Sequence, residues 1–293
     1  MNLLPRACKK MVKKLLLSVF VAIFFLGGCG PERREPKPIP GVRKTAAEAL
    51  AVLRSRSEHT GPMKANGQCV WEYYFEGKKR KENCAVKMWV NPPAEVYLQG
   101  DVGFNPRGIV LGSNASEFWL LIKPELSRYS WGKWSEQETS GGLMVVPKTL
   151  DEALGIVKVV DERNWSLSKE GGFDVLTRRN DKGGISKKMY INPRNYLVRK
   201  IEYFDVNENA LALAELDKYT DVTEDFFVPT VIRIVMYGEA GVESSESITL
   251  NLKSVKPDSF TEKRRKIIFT RPKTKGYEHI YRIINGHLVE EPQ

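Results

Sequence analysis

Hydrophobic and polar residues alternate along most of the chain beyond residue 42, in short runs rich in β-branched and aromatic side chains. Alternation with a period of two predicts β-strands that are buried on one face. The runs lie at residues 68–75, 83–90, 95–100, 108–112, 117–123, 126–132, 165–169, 173–179, 185–191, 196–205, 211–220, 227–237 and 244–255. Turn sequences separate them, so we expect an antiparallel meander, and a sheet of this many strands must curl or close.

Two capping-box sequences predict helices within this strand pattern. Thr45 and Glu48 form the first box, and apolar residues at helical spacing follow it, which predicts an amphipathic helix over residues 46–57. A second box at residues 149–152 predicts a short helix that ends near Ile156. The fold class that follows is mainly β with a few helices, built on a strongly curved antiparallel meander.

No change of composition divides residues 43–293, so these residues are expected to form a single domain. The tail of that domain, residues 276–293, fits two structures. Apolar residues between 277 and 284 have helical spacing, whereas Asn285 and Gly286 form a strong turn signal between two apolar runs. The β-hairpin is the favoured interpretation.

The N-terminal region has the features of a targeting segment. Two lysines precede an apolar run of 12 residues, 15–26. A membrane-spanning helix needs about 20 apolar residues, whereas the core of a signal peptide needs about 7–15. The run ends in Leu-Gly-Gly-Cys, which resembles a lipobox, so residues 1–28 are predicted to be a lipoprotein signal peptide. An uncleaved anchor helix is the alternative, and Met11 is an alternative start to Met1.

Lipidation at Cys29 would anchor the chain to a bacterial envelope membrane, because two or three acyl chains hold a protein stably where one does not. Gly30 follows the cysteine, and the absence of Asp at this position points to the outer membrane. Residues 29–42 contain four prolines and mixed charges, which predicts an extended tether. A proline-rich recognition ligand is the competing interpretation of this segment.

Charge and motifs narrow the function classes. The chain carries 46 basic and 36 acidic residues, a net charge of +10, and without residues 1–28 the excess is mild. No nucleic-acid-binding motif accompanies it, so no nucleic-acid partner is expected. The three histidines form no catalytic or metal-ligand motif, and no phosphate-binding loop is present. We therefore expect no enzyme activity, no metal and no cofactor.

Two groups of acidic residues are candidate catalytic carboxylates. Asp151 and Glu152 are adjacent, and Asp221 lies close to Glu224 and Asp225. Both groups lie at turns or helix starts, where acidic residues are common for structural reasons. We expect no catalytic role for either.

Several strand segments resemble the LolA/LolB lipoprotein-carrier superfamily. A lipobox, an N-terminal helix and a curved antiparallel meander occur here in the order found in that superfamily. The segments that carry the resemblance lie at residues 91–97, 116–124, 129–132, 199–205, 217–220 and 228–234. The resemblance covers most of residues 45–270, and its motifs describe strands rather than catalytic signatures. Within that superfamily, the chain resembles the membrane-anchored, LolB-like proteins more closely, because the soluble carriers lack the lipobox cysteine.

The resemblance implies a half-open barrel capped by helices, whose apolar concave face holds the acyl chains of a lipid or lipoprotein. The implied partners are membrane lipid through acylated Cys29, a lipid or lipoprotein cargo, and a soluble carrier protein. The implied location is the periplasmic side of the outer membrane. Five tryptophans on predicted strands are candidate cavity-lining residues: Trp71, Trp89, Trp119, Trp131 and Trp165. Ordinary core packing is the alternative role for each.

The two remaining cysteines are predicted to form a disulfide. Cys69 and Cys84 are equidistant from the turn signal at Glu76 and Gly77, so they face each other across the predicted hairpin. The compartment outside the cytoplasm is oxidising enough for this bond. Cys8 is removed with the signal peptide. Two buried thiols are the alternative.

A loop over residues 100–108, between the third and fourth predicted strands, contains a large apolar residue, Phe104. LolB-like proteins carry a projecting loop with an apolar tip between the equivalent strands. We therefore expect Phe104 to contact membrane or cargo, with Arg107 beside it suited to anionic headgroups. The alternative is that Phe104 folds back as a lid over the core.

The favoured function is an acyl-chain-binding lipoprotein in lipoprotein or lipid trafficking to the outer membrane. A structural or sensing envelope lipoprotein, which uses the same fold for protein–protein contacts without transport, is the alternative. An envelope hydrolase is the third hypothesis.

Overall fold

The computed structural model describes residues 37–75, 77–123, 126–137, 150–155, 163–237, 246–285 and 287–292. The predicted signal peptide and Cys29 lie outside the described residues. The chain divides into Met1–Arg34 and a compact unit, Glu35–Gln293. The described core lies entirely in the second unit, so we expect Glu35–Gln293 to fold without the preceding residues.

Helix α1 spans Ala46–Glu58, and the capping box predicted for it is present. The Glu48 amide donates to Thr45 Oγ1 at 3.2 Å, and Glu48 Oε2 accepts from the Lys44 amide at 2.7 Å. These bonds satisfy backbone donors that the first helical turn leaves open. The hydrogen bond from the Lys44 amide also lowers the pKa of Glu48. Ala49 and Leu50 face the core, so the helix packs on one face of the sheet.

Fifteen strands form one sheet. Their bounds are β1 Met63–Phe75, β2 Lys78–Asn91, β3 Glu95–Val102, β4 Asn105–Ser113, β5 Glu117–Ile122, β6 Arg128–Lys133, β7 Trp165–Glu170, β8 Phe173–Arg179, β9 Ile185–Ile191, β10 Val198–Phe204, β11 Ala210–Thr223, β12 Phe226–Met236, β13 Glu246–Pro257, β14 His279–Ile284 and β15 His287–Glu290. Every predicted run corresponds to a strand.

The predicted antiparallel meander is present as two meanders within one sheet. The strand order is β15-β14-β6-β5-β4-β3-β2-β1-β13-β12-β11-β10-β9-β8-β7. Strands β1–β6 and β7–β13 each run antiparallel, and β1 and β13 join the two sets. Strands β6 and β7 follow each other along the chain but therefore lie in different halves of the sheet. The sheet is open and curved, as the predicted fold class requires.

Alternation places buried side chains on both faces of the β1–β6 half. We call the face covered by α1 and residues 150–155 the inner face; its core includes Val86, Met88 and Leu98. The outer face carries a second cluster that includes Tyr97 and Trp119. Helix α2, Glu262–Ile268, and the chain after it cover that cluster, and Phe269 is buried there.

The C-terminal tail forms the favoured hairpin. Strands β14 and β15 pair antiparallel, and Asn285 between them has φ 50°. Such a positive φ suits Asn in a tight turn. Strand β14 also runs parallel to β6, with His279 opposite Arg128, so the tail extends the sheet.

Candidate functional site

An apolar cavity of about 100 Å³ lies on the inner face, lined by residues of β1, β3, β4, β5, β6, β12 and β13. We call it the apolar cavity. Trp71 and Tyr73 stack in its wall, with ring centroids 4.1 Å apart. Arg128 and Glu246 are the two charged residues among the described lining residues. The cavity is thus a largely apolar space, and the charged side chains among its described lining residues are confined to two positions.

Arg128 and Glu246 lie at one end of the strands. Arg128 is the first residue of β6 and Glu246 the first of β13. The register places the β1–β2 and β3–β4 turns at the same end, which we call the turn end. Burial lowers the pKa of Arg128 and raises the pKa of Glu246. The charged part of the cavity wall is therefore at the turn end.

A second cavity of about 290 Å³ lies against α1, between that helix and the β8–β12 side of the inner face. We call it the helix cavity. Its lining is mixed: Leu53 and Trp165 are apolar, whereas Arg56 and Lys187 carry charge. Arg56 Nη2 donates to the Asn195 carbonyl at 2.6 Å, and its Nε is buried without a hydrogen bond. Burial accordingly lowers the pKa of Arg56.

Residues 150–155 contribute to the walls of both cavities. Leu150 lines the apolar cavity, whereas Glu152 and Leu154 line the helix cavity. Residues 150–153 are helical, as the second capping box predicts, although Thr149 and Ile156 lie outside the described residues. Leu150 and Leu154 are fully buried against the inner face. The segment therefore covers the inner face where the two cavities adjoin.

A buried ion pair connects this segment to the sheet. Lys187 Nζ lies 2.7 and 2.8 Å from the two carboxylate oxygens of Glu152, and both side chains are nearly inaccessible to solvent. The Tyr203 hydroxyl also donates to Glu152. A buried charge pair with an additional hydrogen bond satisfies its members, and removal of one partner would be costly. These contacts attach residues 150–155 to β9 and β10.

The Asp151 side chain contacts a different strand from the Glu152 side chain. The Ser113 hydroxyl on β4 donates to Asp151 Oδ2 at 3.4 Å, and Oδ1 is buried without a partner among the described residues. Burial raises the pKa of Asp151 well above its ordinary value. Asp151 and Glu152 therefore do not share a reaction site. Glu224 and Asp225 lie exposed in the β11–β12 turn, as acidic turn residues usually do.

Two of the five predicted tryptophans line an inner-face cavity. Trp71 lines the apolar cavity and Trp165 the helix cavity. The other three lie in the outer-face cluster, which corrects their assignment: Trp89, Trp119 and Trp131. The physical reason is the strand period, because neighbouring residues of one strand face opposite sides and both sides are covered here. A count of aromatic residues on strands does not distinguish two buried faces.

The cysteine register is as predicted, with Cys69 directly opposite Cys84 in the β1–β2 pair. Both are buried free thiols in the structure, so the disulfide is not formed in it. Opposed strand residues have Cβ atoms about 4.5–5.5 Å apart, whereas a disulfide needs about 3.5–4.5 Å, so register alone does not produce the bond. Its formation by oxidation stays a prediction.

Phe104 lies at the tip of a tight hairpin and is fully exposed. The predicted loop of residues 100–108 is wrong in extent, because β3 and β4 continue to Val102 and Asn105 on either side of it. Gly103 has φ 55°, which permits this short turn. The alternative of a lid over the core is also wrong, because Phe104 makes no burying contact.

Arg107 stands three residues after Phe104 and is exposed. Its amide donates to Asp101 Oδ1 at 2.9 Å across the hairpin. Arg107 is therefore at the turn end, in the same hairpin as Phe104. A contact of either residue with membrane or cargo stays a prediction.

The chain enters the compact unit at the other end of the strands. The Ile39 amide donates to the Arg194 carbonyl at 2.8 Å, and the Arg43 guanidinium lies 5.0 Å from the centre of the Tyr196 ring. Arg194 and Tyr196 belong to the β9–β10 turn, whereas Phe104 lies at the turn end. The start of the compact unit and the exposed aromatic tip are thus separated by the length of the strands.

Searches for known relatives give matches in structure alone. No family model matches the chain, and no curated protein matches it. A LolA superfamily protein from Nitrosomonas europaea is 14% identical with a TM-score of 0.47, and covers 78% of this chain and 99% of its own. A DUF1329 family protein from Desulfovibrio piger is 11% identical with a TM-score of 0.46, covering 75% and 95%.

A candidate outer membrane lipoprotein-sorting protein domain from Vibrio parahaemolyticus is 14% identical, with a TM-score of 0.48, and covers 74% of this chain and 94% of its own. Each of these three solved structures is similar to this chain over about three quarters of its length. Within the described residues, none of the helices has the length and apolarity needed to span a membrane. The same residues contain no group of three or more potential metal ligands.

Proposed function

We propose that this protein is a lipid-anchored envelope protein that binds the acyl chains of a lipid or lipoprotein on its inner face. It would act in lipid or lipoprotein trafficking to the outer membrane, with Cys29 as the anchor and a soluble carrier protein as a partner. The observation that supports this most directly is the pair of adjoining cavities on the inner face, one apolar and one mixed, beneath a single helical segment.

Binding requires the cavities to enlarge. Ligand sites of drug-like size usually occupy about 300–1,000 Å³, whereas the apolar cavity holds about 100 Å³. Residues 150–155 contribute to both cavities, so their displacement would connect the two spaces. The contacts of Glu152 with Lys187 and Tyr203 would hold the segment in place until a ligand replaces its apolar contacts.

Phe104 would provide the contact with membrane or cargo. The fully exposed ring lies at the turn end, where Arg128 and Glu246 mark the charged part of the apolar cavity. A large apolar side chain at an exposed tip gains stabilisation when it enters a bilayer or a partner surface. Arg107 would add attraction to anionic headgroups.

Lipid extraction from purified Glu35–Gln293, followed by mass spectrometry, tests the acyl-binding function. Leu111→Trp places a large ring on the inner face, and Val110→Trp is the matched control on the outer face of the same strand. We expect co-purified acyl species in the parent and in Val110→Trp, and a strong reduction in Leu111→Trp, measured per mole of folded protein. Equal recovery from both variants, or empty extracts from the parent, would contradict the proposal.

The closed state of the inner face favours one alternative. Leu150 and Leu154 are fully buried there, as in an ordinary core. A structural or sensing lipoprotein without cargo would keep this closed state permanently. Empty extracts together with stable complexes of envelope proteins would support that function.

A further inference from the structure

Arg128 places a desolvated cation in the wall of an otherwise apolar space. Its Nε donates to Ser130 Oγ at 3.0 Å, and burial lowers the pKa of the guanidinium. No carboxylate among the described residues lies within ion-pair distance of it. Burial of a charge without a close counter-ion is costly, so such groups usually serve a purpose.

Glu246, which lines the same cavity, attracts the Arg128 guanidinium electrostatically but forms no direct ion pair with it. It lies beyond ion-pair distance from Arg128, and burial raises its pKa, which disfavours its charged form. Lys123 and Glu82 line a small adjoining space on the same side. Arg80 stands directly opposite Tyr73 on the neighbouring strand, and residues so paired share a face. Arg128 and Arg80 thus lie at the turn end of the cavity, together with the acidic residues Glu82 and Glu246.

We propose that the apolar cavity takes an amphiphile with an anionic headgroup, a carboxylate or a phosphate, which the Arg128 guanidinium holds. The acyl chain would extend from Arg128 past Trp71 towards Leu150. Arginine suits this role because its planar fork donates two parallel hydrogen bonds to a carboxylate or phosphate. This inference rests on the proposed acyl-binding function and adds the charge of the cargo.

Quenching of tryptophan fluorescence tests the headgroup preference in purified Glu35–Gln293. The three probes have the same chain length and carry bromine at the ω position, because bromine quenches nearby indole. They are a fatty acid, an alkyl phosphate and an alcohol. Loss of most of the quenching in Trp71→Phe would place the probes in the apolar cavity. We expect Arg128→Met to weaken binding of both anionic probes by about tenfold or more, and to leave binding of the alcohol unchanged.

Two variants serve as matched controls. Arg233→Met removes an exposed arginine paired with Glu215 on the other half of the sheet, and should not change any affinity. Glu246→Gln removes an acidic group from the same cavity, and should preserve or strengthen binding of the anionic probes. If Arg128→Met fails to fold, Arg128→Lys keeps the charge but loses the fork, and should weaken anionic binding to a smaller extent.

The outcomes separate this inference from the function on which it rests. Equal weakening for all three probes in Arg128→Met, or no weakening, would overturn the headgroup role while acyl binding stands. Absence of quenching by every probe, the alcohol included, would overturn acyl binding itself. A loss confined to one of the two anionic probes supports the inference and identifies the headgroup as carboxylate or phosphate.

Discussion

The strand register places the Cys69 and Cys84 thiols together, and this contact changes the acidity of both. They face each other on β1 and β2, and the hydrogen bond between the thiols raises the pKa of Cys69 and lowers that of Cys84. The thiolate is the reactive form, so Cys84 is the thiol that reacts first with an oxidant. The pair is therefore aligned for oxidation from the Cys84 side.

We expect Cys69 and Cys84 to be joined by a disulfide in protein recovered from an oxidising compartment. Closure of a loop of about 15 residues stabilises the folded state by about 3 kcal/mol in the chain-entropy model. Thiol labelling of denatured, unreduced Glu35–Gln293 should then find no reactive thiol, and Cys69→Ser should expose one. Two labelled thiols in the parent protein would contradict the prediction.

At the scale of elements, residues 150–155 have polar contacts to both halves of the sheet. Asp151 contacts Ser113 on β4, whereas Glu152 contacts Lys187 on β9. Glu152 is satisfied by an ion pair, but one oxygen of Asp151 is buried and has no partner among the described residues. The contact with β4, a hydrogen bond of 3.4 Å, is therefore the weaker of the two.

The buried Asp151 should make stability depend on pH. Because its pKa is raised in the folded protein, the folded state retains a proton that the unfolded chain loses above about pH 4. The free energy of unfolding therefore falls as pH rises from there towards the folded pKa, by at most about 1.4 kcal/mol per pH unit. Asp151→Asn should remove this decline. Urea unfolding at pH 5 and pH 8 measures it, and identical pH dependence in both proteins would contradict it.

At the scale of the whole molecule, local patterns predicted the elements well but not their order in the sheet. Strand alternation and the Thr45 capping box are local, so the strands, α1 and the Asn285 hairpin follow from them. The β6–β7 crossing depends on pairing between distant segments, which no local pattern encodes. The same limit applies to Trp89 and Trp119, because their burial under the chain after β13 is a long-range contact. The partners of Glu152, Lys187 on β9 and Tyr203 on β10, also come from distant strands.

The two ends of the sheet have different environments. The chain enters the compact unit beside Tyr196, whereas Phe104 and the Arg128 side of the apolar cavity lie at the turn end. A surface that receives or delivers cargo should lie near the charged part of the cavity rather than near the start of the compact unit. Phe104 is the fully exposed large apolar residue at that end, which makes it the side chain to test.

We expect Phe104→Glu to reduce binding of Glu35–Gln293 to anionic vesicles, and the transfer of acyl cargo to them, without a change in melting temperature. The ring makes no burying contact, so its replacement should alter the free energy of unfolding by no more than about 0.5 kcal/mol. Binding should fall because a carboxylate at the tip opposes insertion into the bilayer and is repelled by the anionic headgroups. Val206→Glu, an exposed apolar residue in the β10–β11 turn at the same end, is the matched control and should retain binding. Vesicle co-sedimentation and thermal unfolding measure the two effects. Equal loss of binding in both variants would indicate a general effect of charge. A large fall in melting temperature for Phe104→Glu would show that the ring stabilises the fold. Either result would exclude a specific contact at Phe104.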